Sequence, residues 1–352
     1  MKTIVDIFLE ITESYPDHNA VSDEAGSLTY RELDQISDLV ADEILSVLNR
    51  GEYKKNSTDN YNIGVVYPRE KEVLAAFMGI MRSGSCYFFV SPDVPKGRLS
   101  FIIEDADAAC LITSRKLEGI IAGTVKVPVI YMEDILKRYR TEKVFHHYNA
   151  SDEKKAAFIT YTSGSTGNPK GVVDTYYYIR NHIDARHQYY KPGSEECIGN
   201  IVSFSYAAST YDLFSGLTVG CNLYIFSDEE LLNQTLLVSR IIDNNITTMF
   251  MIPSMIPIVF APGAMLPIQC IITAGEKAKQ IPDISARMVE IYGSSEAAAV
   301  IGRETKKEDP WNLLGRPFPG TTIYLLDEKG ERITTPDTVG EVCIVNDALA
   351  DE

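Results

Sequence analysis

The sequence lacks three features that would each place it in a broad class of protein. It has no run of eighteen or more apolar residues, so no transmembrane helix is expected. It has no Cys-x-x-Cys pair, which argues against a zinc or redox motif. Basic residues are scarce, since 33 Lys and Arg stand against 49 Asp and Glu for a formal net charge of -16. Nucleic acids and anionic membranes bind basic patches, so neither is an expected partner.

The cysteines that are present predict no framework of cross-links. They stand at positions 86, 110, 197, 221, 270 and 343, mostly inside apolar runs. We therefore expect buried free thiols in a reducing compartment rather than disulfides. Asp6 and Glu10 interrupt the apolar N-terminal stretch, which argues against a signal peptide. The expectation is a soluble, cytoplasmic protein.

The length and composition predict a large fold with a real core. The chain has 352 residues and is 45% hydrophobic, enough for one two-lobed domain or two domains. Residues 1–17 have the apolar spacing of an amphipathic helix, and Thr29 with Glu32 forms a capping box that predicts a second helix start.

Strands and helices then alternate along the chain. Strands are predicted at 63–67, 86–90 and 109–113, with helices at 70–81 and 98–105, a pattern that implies parallel pairing through right-handed crossovers. The charged residues 137–155 are interpreted as a solvated loop. The second half repeats the alternation. After Gly315, antiparallel strands are predicted at 321–327 and 339–345.

One stretch carries a clear chemical signal, residues 161–171, Tyr-Thr-Ser-Gly-Ser-Thr-Gly-Asn-Pro-Lys-Gly. It follows the apolar segment 156–160, which reads as a buried strand. Glycines let backbone N–H groups approach an anion, hydroxyls add donors, and Lys170 adds a positive charge. The pattern indicates a site for a polyphosphate. It is not a Walker A loop, because Pro169 stands where that motif has its second glycine.

A surface linker rich in Ser, Thr and Gly is the alternative interpretation of this stretch. Linkers seldom follow a buried strand directly, however, and this one ends in Pro-Lys-Gly before another apolar run. The full string resembles the signature of the adenylate-forming superfamily, which includes acyl-CoA synthetases, luciferases and the adenylation domains of nonribosomal peptide synthetases. The chain is most similar to those adenylation domains and to D-alanine–carrier protein ligases.

The resemblance implies an α/β fold with two βα-repeat subdomains whose mostly parallel sheets pack together. These would span about 1–175 and 176–310, and residues 311–352 would begin a small β-rich subdomain, part of a distorted barrel. Family members continue into a C-terminal lid domain that carries a catalytic lysine, and this sequence has no counterpart of it. We therefore expect a truncated form, one part of a split enzyme or a degenerate gene product.

The resemblance also implies a nucleotide site. Residues 271–276 look like the turn beside adenine, and residues 292–296 resemble the family's Tyr-Gly-Pro-Thr-Glu string. The residues implied in ATP or AMP binding are Thr162, Ser163, Gly164, Ser165, Thr166, Gly167, Lys170, Ala274, Gly275, Glu276, Glu290, Ile291, Tyr292, Gly293, Ser294 and Ser295.

Within that set, Lys170 would steer the β- and γ-phosphates and Tyr292 would stack on adenine. Glu296 would hold Mg²⁺ together with Thr166, a role that suits a hard cation with oxygen ligands. Lys170 and Glu296 are therefore the expected catalytic residues. Glu290 is a departure, because it stands where the family usually has an asparagine that reads the adenine amino group.

The acyl pocket carries a second departure. Residues 204–212 resemble the family's Phe-Asp-x-Ser segment, and Ala207 takes the place of the aspartate that pairs with an α-ammonium. A register shift would bring Asp212 to that place instead. The pocket residues implied are Ala207, Ala208, Tyr211, Ser254, Ile272, Ala274, Ile291, Ala299 and Val300. This nearly apolar wall predicts an aryl, keto, hydroxy or fatty carboxylate, or a β-amino acid held differently.

The implied activity is ATP-dependent formation of an acyl-adenylate, followed by transfer to the thiol of CoA or of a carrier protein, with ATP and Mg²⁺ as cofactors. Two alternatives stay open. The chain could bind a nucleotide or acyl-adenylate without turnover, completed by a second chain that supplies the missing domain. It could also be an interaction remnant with no ligand.

Overall fold

The computed structural model describes residues 1–142, 145–150, 152–163, 169–260, 265–276, 284–305 and 313–346. The strands of this described part are, in chain order, β1 Asn19–Asp23, β2 Gly26–Thr29, β3 Asn62–Val66, β4 Cys86–Phe89, β5 Cys110–Thr113, β6 Val129–Tyr131, β7 Ala156–Ser163, β8 Pro169–Thr175, β9 Cys197–Asn200, β10 Asn222–Ile225, β11 Thr248–Phe250, β12 Cys270–Thr273, β13 Arg287–Ser294, β14 Ala298–Thr305, β15 Arg316–Pro317, β16 Thr321–Leu326 and β17 Glu341–Asn346.

The helices of the same residues are α1 Ile4–Ser14, α2 Tyr30–Leu48, α3 Glu72–Arg82, α4 Lys96–Asp105, α5 Glu118–Ile121, α6 Met132–Thr141, α7 Tyr176–His187, α8 Ser209–Ser215, α9 Asp228–Leu232, α10 Gln234–Asp243 and α11 Ile256–Val259. Short 3₁₀ turns lie at Arg115–Leu117 and Gly216–Thr218.

Two large sheets organise the molecule. The six-stranded sheet has the order β6-β5-β3-β4-β7-β8, and the nine-stranded sheet has the order β15-β14-β13-β12-β11-β9-β10-β1-β2. Their central strands are parallel, and only the edges pair antiparallel. The predicted α/β class with mostly parallel sheets is therefore confirmed. The β16–β17 pair forms a separate antiparallel ribbon, as the change of pattern after Gly315 predicted.

The two sheets share one core between them. Phe77 of α3 stacks on Tyr87 of β4 with ring centroids 4.4 Å apart. The same Phe77 meets Phe204 edge-on at 5.9 Å, and Tyr87 meets Phe214 of α8 at 6.4 Å. Aromatic side chains bury large apolar areas, so these contacts hold the first half of the chain against the second.

Local cues predicted the element starts well. The capping box at α2 is present, because Thr29 Oγ1 accepts from the Glu32 backbone N–H at 3.2 Å and the Glu32 carboxylate accepts from the Thr29 backbone N–H at 2.8 Å. The helix predicted over 1–17 is shorter, at Ile4–Ser14. All six cysteines are free thiols, and all except Cys343 are buried, as expected.

Three elements differ from the predictions. Helix α6 takes up the first part of the segment interpreted as a loop, since Met132 and Ile135 bury its inner face. Strand β14 was not predicted; it returns antiparallel along β13. The hairpin β1–β2 was also missed, and β1 pairs parallel with β10 through Val21 and Leu223. Strands β1 and β2, near the N-terminus, therefore belong to the nine-stranded sheet that the second half of the chain forms. The predicted subdomain boundary near residue 175 stays a prediction.

Candidate active site

A cavity of about 470 Å³ opens at the carboxyl ends of the central strands of the nine-stranded sheet. Residues 201–203, which follow β9, line it, as do Phe250 at the end of β11 and Ala274 and Gly275 just beyond β12. The carboxyl ends of parallel strands therefore form its floor. The chain runs from β9 outward to β10 and then crosses back to β11 on the other side of β9. This reversal is the topological switch point at which open α/β sheets bind ligands.

The β13–β14 turn closes one side of the cavity. Gly293, Ser294 and Ser295 line it, together with Ile291 from β13. The pairing of the two strands shifts register between Tyr292 and Gly293, a bulge of the kind that redirects backbone near sites. The turn is anchored from behind, because the Tyr178 hydroxyl donates to the Ser295 carbonyl at 3.0 Å.

The predicted phosphate loop stands between β7 and β8. These strands form an antiparallel hairpin in which Thr162 pairs with Lys170 and Ser163 with Pro169. The Thr162 hydroxyl donates to the Lys170 carbonyl at 3.5 Å, and the Lys170 side chain is exposed. Gly164, Ser165, Thr166 and Gly167 lie outside the described residues. The hairpin base fixes where the loop begins and ends.

Helix α7 connects the hairpin to the β13–β14 turn. Phe158 of β7 meets Tyr178 of α7 edge-on, with ring centroids 6.1 Å apart, and Tyr178 holds Ser295. Asp174 of β8 lies close enough to Glu296 for that charge to act on it. Burial, and then the Glu296 carboxylate, raise the pKa of Asp174 well above its usual range. Within the described residues, neither carboxylate oxygen of Asp174 has a hydrogen-bond partner.

Five of the nine predicted pocket residues line the cavity: Ala207, Ala208, Ala274, Ile291 and Ala299. The other four do not. Tyr211, Ile272 and Val300 are buried in the core behind the wall. Ser254 is exposed, and its hydroxyl and backbone N–H both donate to Glu276 at 3.2 Å.

The resemblance places Ala207 where the family has an aspartate, with Asp212 as the alternative. Ala207 lines the cavity, and Asp212 does not. Asp212 is fully buried in α8, where it accepts from Asn200 Nδ2 at 3.2 Å. Burial raises the pKa of Asp212 to about 7, although Asn200, Arg186 and Arg69 oppose the shift. The side chain facing the cavity at this place is thus the methyl group of Ala207.

Of the residues expected around adenine, some line the cavity and others do not. Gly275 lines the cavity with a φ of 86°, a conformation that favours glycine. Tyr292 is 41% exposed, so its ring is accessible beside the turn. Glu290 lies outside the cavity lining, and its Oε2 accepts from Arg303 Nε at 3.0 Å and Nη2 at 2.7 Å. That pairing occupies the carboxylate, and a contact between Glu290 and adenine stays a prediction.

Several lining residues were not predicted, among them Tyr178, His182 and Arg186 of α7. They stand four residues apart and so share one helix face. Thr175 starts this helix by accepting from the Tyr178 backbone N–H at 3.2 Å. The available signal in the sequence was the four-residue spacing of these side chains.

The electrostatics of this helix face are unusual. Burial, with Arg186 beside it, lowers the pKa of His182 well below its usual range, so the imidazole is neutral. Its Nδ1 lies 3.4 Å from the Thr210 hydroxyl. Burial also lowers the pKa of Arg186 to about 10, which leaves the guanidinium charged at neutral pH.

A metal site built by protein groups alone is not found among the described residues, which hold no cluster of three or more His, Cys, Asp or Glu side chains suited to a metal. Glu296 is exposed on the turn that follows β13. One carboxylate suits Mg²⁺, which usually takes its remaining ligands from waters and substrate phosphates. Among the described residues, none of the helices has the length and apolar composition of a membrane span.

Comparisons with known proteins agree with this geometry. A family model described as "AMP-binding enzyme" matches residues 8–351. Surfactin synthase subunit 3 of Bacillus subtilis (strain 168) is 24% identical over 355 residues, which cover 96% of this chain and 27% of that relative. The chain therefore spans about a quarter of the length of that relative, and less of several others.

Solved structures share the fold. VinN superimposes with a TM-score of 0.85 at 20% identity, covering 99% of this chain and 89% of that one. The N-terminal subdomain of Klebsiella oxytoca NpsA, in complex with 3-hydroxybenzoyl-AMSN, has a TM-score of 0.81 at 21% identity, covering 99% and 88%.

Proposed function

The chain belongs to the AMP-binding enzyme family, and from this premise we propose that it binds ATP and a carboxylic acid and joins them as an acyl-adenylate. In this reaction a carboxylate oxygen attacks the α-phosphorus, the bond to the β-phosphate oxygen breaks, and pyrophosphate leaves. The observation that carries the proposal is the cavity at the sheet's switch point, which Gly293, Ser294 and Ser295 line. Tyr178 also lines it and contacts Phe158 of the β7–β8 hairpin.

The phosphate end of ATP would lie at the hairpin. Lys170 is the second residue of β8, and its side chain is exposed. Together with the glycines and hydroxyls of residues 162–167, it would bind the β- and γ-phosphates. Glu296 would hold Mg²⁺, which when bound supplies positive charge to the phosphate oxygens. Gly275 and Tyr292 would flank the adenine.

The acid would occupy the cavity between Ala207, Ala208 and Ala299. Transferring an ammonium into such a wall without a partner costs several kcal/mol, on the order of the penalty for an unpaired buried ion. Asp212 does not face the cavity, so the proposed substrate has no charged α-amine. The acyl group would then pass to the thiol of CoA or of a carrier protein, with AMP as the leaving group.

The test is ATP–pyrophosphate exchange with a panel of carboxylic acids, combined with the thermal shift caused by ATP and Mg²⁺. Wild-type protein should exchange above the no-protein blank with at least one acid. Lys170→Ala should weaken ATP binding by about 10- to 100-fold, because a hydrogen bond to a charged group contributes about 1.5–3 kcal/mol. ATP at many times its Kd should stabilise the wild type by a few kcal/mol, roughly 2.7 at a hundredfold excess.

Lys154→Ala is the matched control, because Lys154 is an exposed lysine of the segment just ahead of β7. It should leave both readouts unchanged. An ATP-induced shift without exchange for any acid would favour a binding module without turnover. Neither shift nor exchange would reject the proposed function.

A further inference from the structure

We propose that Arg186 binds a second carboxylate at the far end of the substrate, so that the acid activated here is a dicarboxylic acid. This inference rests on the proposed function, because it names the substrate class of the same cavity. Two observations support it: Arg186 is the one cation among the described lining residues, and two of its nitrogens have no hydrogen-bond partner there.

Arg186 is a buried charge that has no bonded counter-ion in the part of the chain that the structure describes. Its side chain is 3% exposed, and it lines the cavity. Among the described residues, its Nε and Nη1 have no hydrogen-bond partner. Its guanidinium lies over the rings of Tyr211 at 4.7 Å and Phe250 at 5.7 Å, which hold it in place without using its N–H donors.

A second buried arginine, Arg82, has the ion pairs that Arg186 lacks among the described residues. Arg82 is fully buried, and its guanidinium donates to Asp34 at 2.8 Å and Asp38 at 2.9 Å. Asp212 acts on Arg186 only through its charge, and no ion pair between the two is present in the described part of the chain. Buried arginines are normally paired, so the N–H groups of Arg186 indicate a partner that enters from outside the protein.

The chemistry of the wall selects an anionic partner. No Asp or Glu is found among the described lining residues. The nearest ionisable neighbour along the helix face, His182, is neutral at physiological pH. The cavity therefore combines apolar surface with a single positive charge. A planar guanidinium fork matches the two oxygens of a carboxylate.

The two ends of the cavity then have separate tasks. The reacting carboxylate belongs at the Gly293–Ser295 turn, beside the hairpin that takes the phosphates. The second carboxylate would pair with Arg186, and the carbon chain between them would lie against Ala207, Ala208 and Phe250. A monocarboxylic acid would leave the guanidinium unpaired inside a largely apolar cavity, so it should bind less well than the diacid.

The experiment compares hexanedioate with hexanoate, which have the same carbon number and differ in the distal carboxylate. Wild-type protein should show a kcat/KM in pyrophosphate exchange at least tenfold higher for hexanedioate. Arg186→Met should remove that preference by raising KM for the diacid at least tenfold while leaving hexanoate nearly unchanged. Arg186→Lys keeps the charge without the fork and should be intermediate.

Arg180→Met is the control, since Arg180 lies on the same helix but pairs with Asp184 at 2.7 Å and does not line the cavity. It should leave the preference intact. Calorimetric titration of hexanedioate without ATP gives a readout that needs no turnover. Equal diacid binding by wild type and a folded Arg186→Met or Arg186→Lys would overturn the proposal, whereas exchange with monoacids alone would overturn it and leave the proposed function standing.

Discussion

At the scale of single residues, Asp174 is the side chain whose position is hardest to reconcile with stability. It lies on β8 with no exposed surface, and its carboxylate oxygens have no hydrogen-bond partner among the described residues. Thr160 pairs with Val172 across the same hairpin. Its buried hydroxyl likewise has no hydrogen-bond partner among the described residues. The fold therefore buries polar groups just beneath the turn that carries Glu296.

We expect Asp174→Val to raise the free energy of unfolding at neutral pH by about 1–3 kcal/mol, because burying an unpartnered polar group costs about that much in proteins.

The pH dependence of this effect has a definite sign. The pKa of Asp174 is raised in the folded state, so the wild type loses stability as pH rises above the ordinary Asp value of about 4. The advantage of the variant should therefore be larger at pH 8 than at pH 5 in urea titrations.

Asp93→Val is the control for that measurement, because Asp93 is exposed in the turn after β4. Its effect should stay within about 0.5 kcal/mol at both pH values. If Asp174→Val instead destabilises the protein, the carboxylate has a partner that the apolar side chain cannot replace.

At the scale of elements, the packing of α2 against α3 depends on one glycine. A Cβ at Gly79 would lie 2.4 Å from Val40 Cβ and 2.7 Å from the Ser37 carbonyl oxygen. Both distances are far below van der Waals contact, and neither neighbour is the flexible end of a long side chain. The two helices therefore approach each other as closely as they do only because position 79 has no side chain.

Gly79→Ala should lower the free energy of unfolding by about 1–3 kcal/mol, the usual cost of overpacking a core. Gly97→Ala is the matched comparison, because Gly97 lies in α4 and a Cβ there meets nothing within 4 Å. That second variant should be neutral or stabilising by up to about 1 kcal/mol, since alanine favours helices. Equal effects for the two substitutions in urea denaturation would contradict the close-contact account.

At the scale of the whole molecule, Arg69 ties the loop after β3 to the second sheet. Its guanidinium donates to the carbonyls of Phe226 at 2.7 Å, Val202 at 3.0 Å and Asn200 at 2.8 Å. It also lies 4.9 Å from the Phe204 ring. Burial lowers the pKa of Arg69 to about 10, so the side chain is still charged at neutral pH. Val202 lines the cavity, which places this tie directly behind the site.

Arg69→Ala should destabilise the protein by at least about 3 kcal/mol, because several carbonyls lose a charged donor at roughly 1–3 kcal/mol each. Hydrogen exchange should show reduced protection first in β9 and β10, while the β16–β17 ribbon is unaffected. Arg50→Ala is the control, because Arg50 is exposed and, in the described residues, its side chain donates only to the Ser46 hydroxyl. Uniform loss of protection across both sheets would argue against a local tie.

The sequence by itself determined the local features and the family. The capping box of α2, the strand before residues 161–171 and the alternation of strands with helices were all readable, because they depend on neighbours a few residues apart. The glycines, hydroxyls and Lys170 of residues 161–171 indicated a polyphosphate site, and the resemblance of the motif strings around Lys170 and Tyr292 indicated the family to which the chain belongs.

Only the tertiary structure decided which distant segments meet. Val21 pairs with Leu223, and Tyr178 donates to Ser295. Arg186 lines the cavity and has no bonded counter-ion among the described residues. Periodicity reports that a side chain is buried, but it does not report what lies opposite. For that reason Tyr211, Ile272 and Val300 were expected on the wall and are buried without lining the cavity, while Tyr178, His182 and Arg186 of α7 line it and were not predicted.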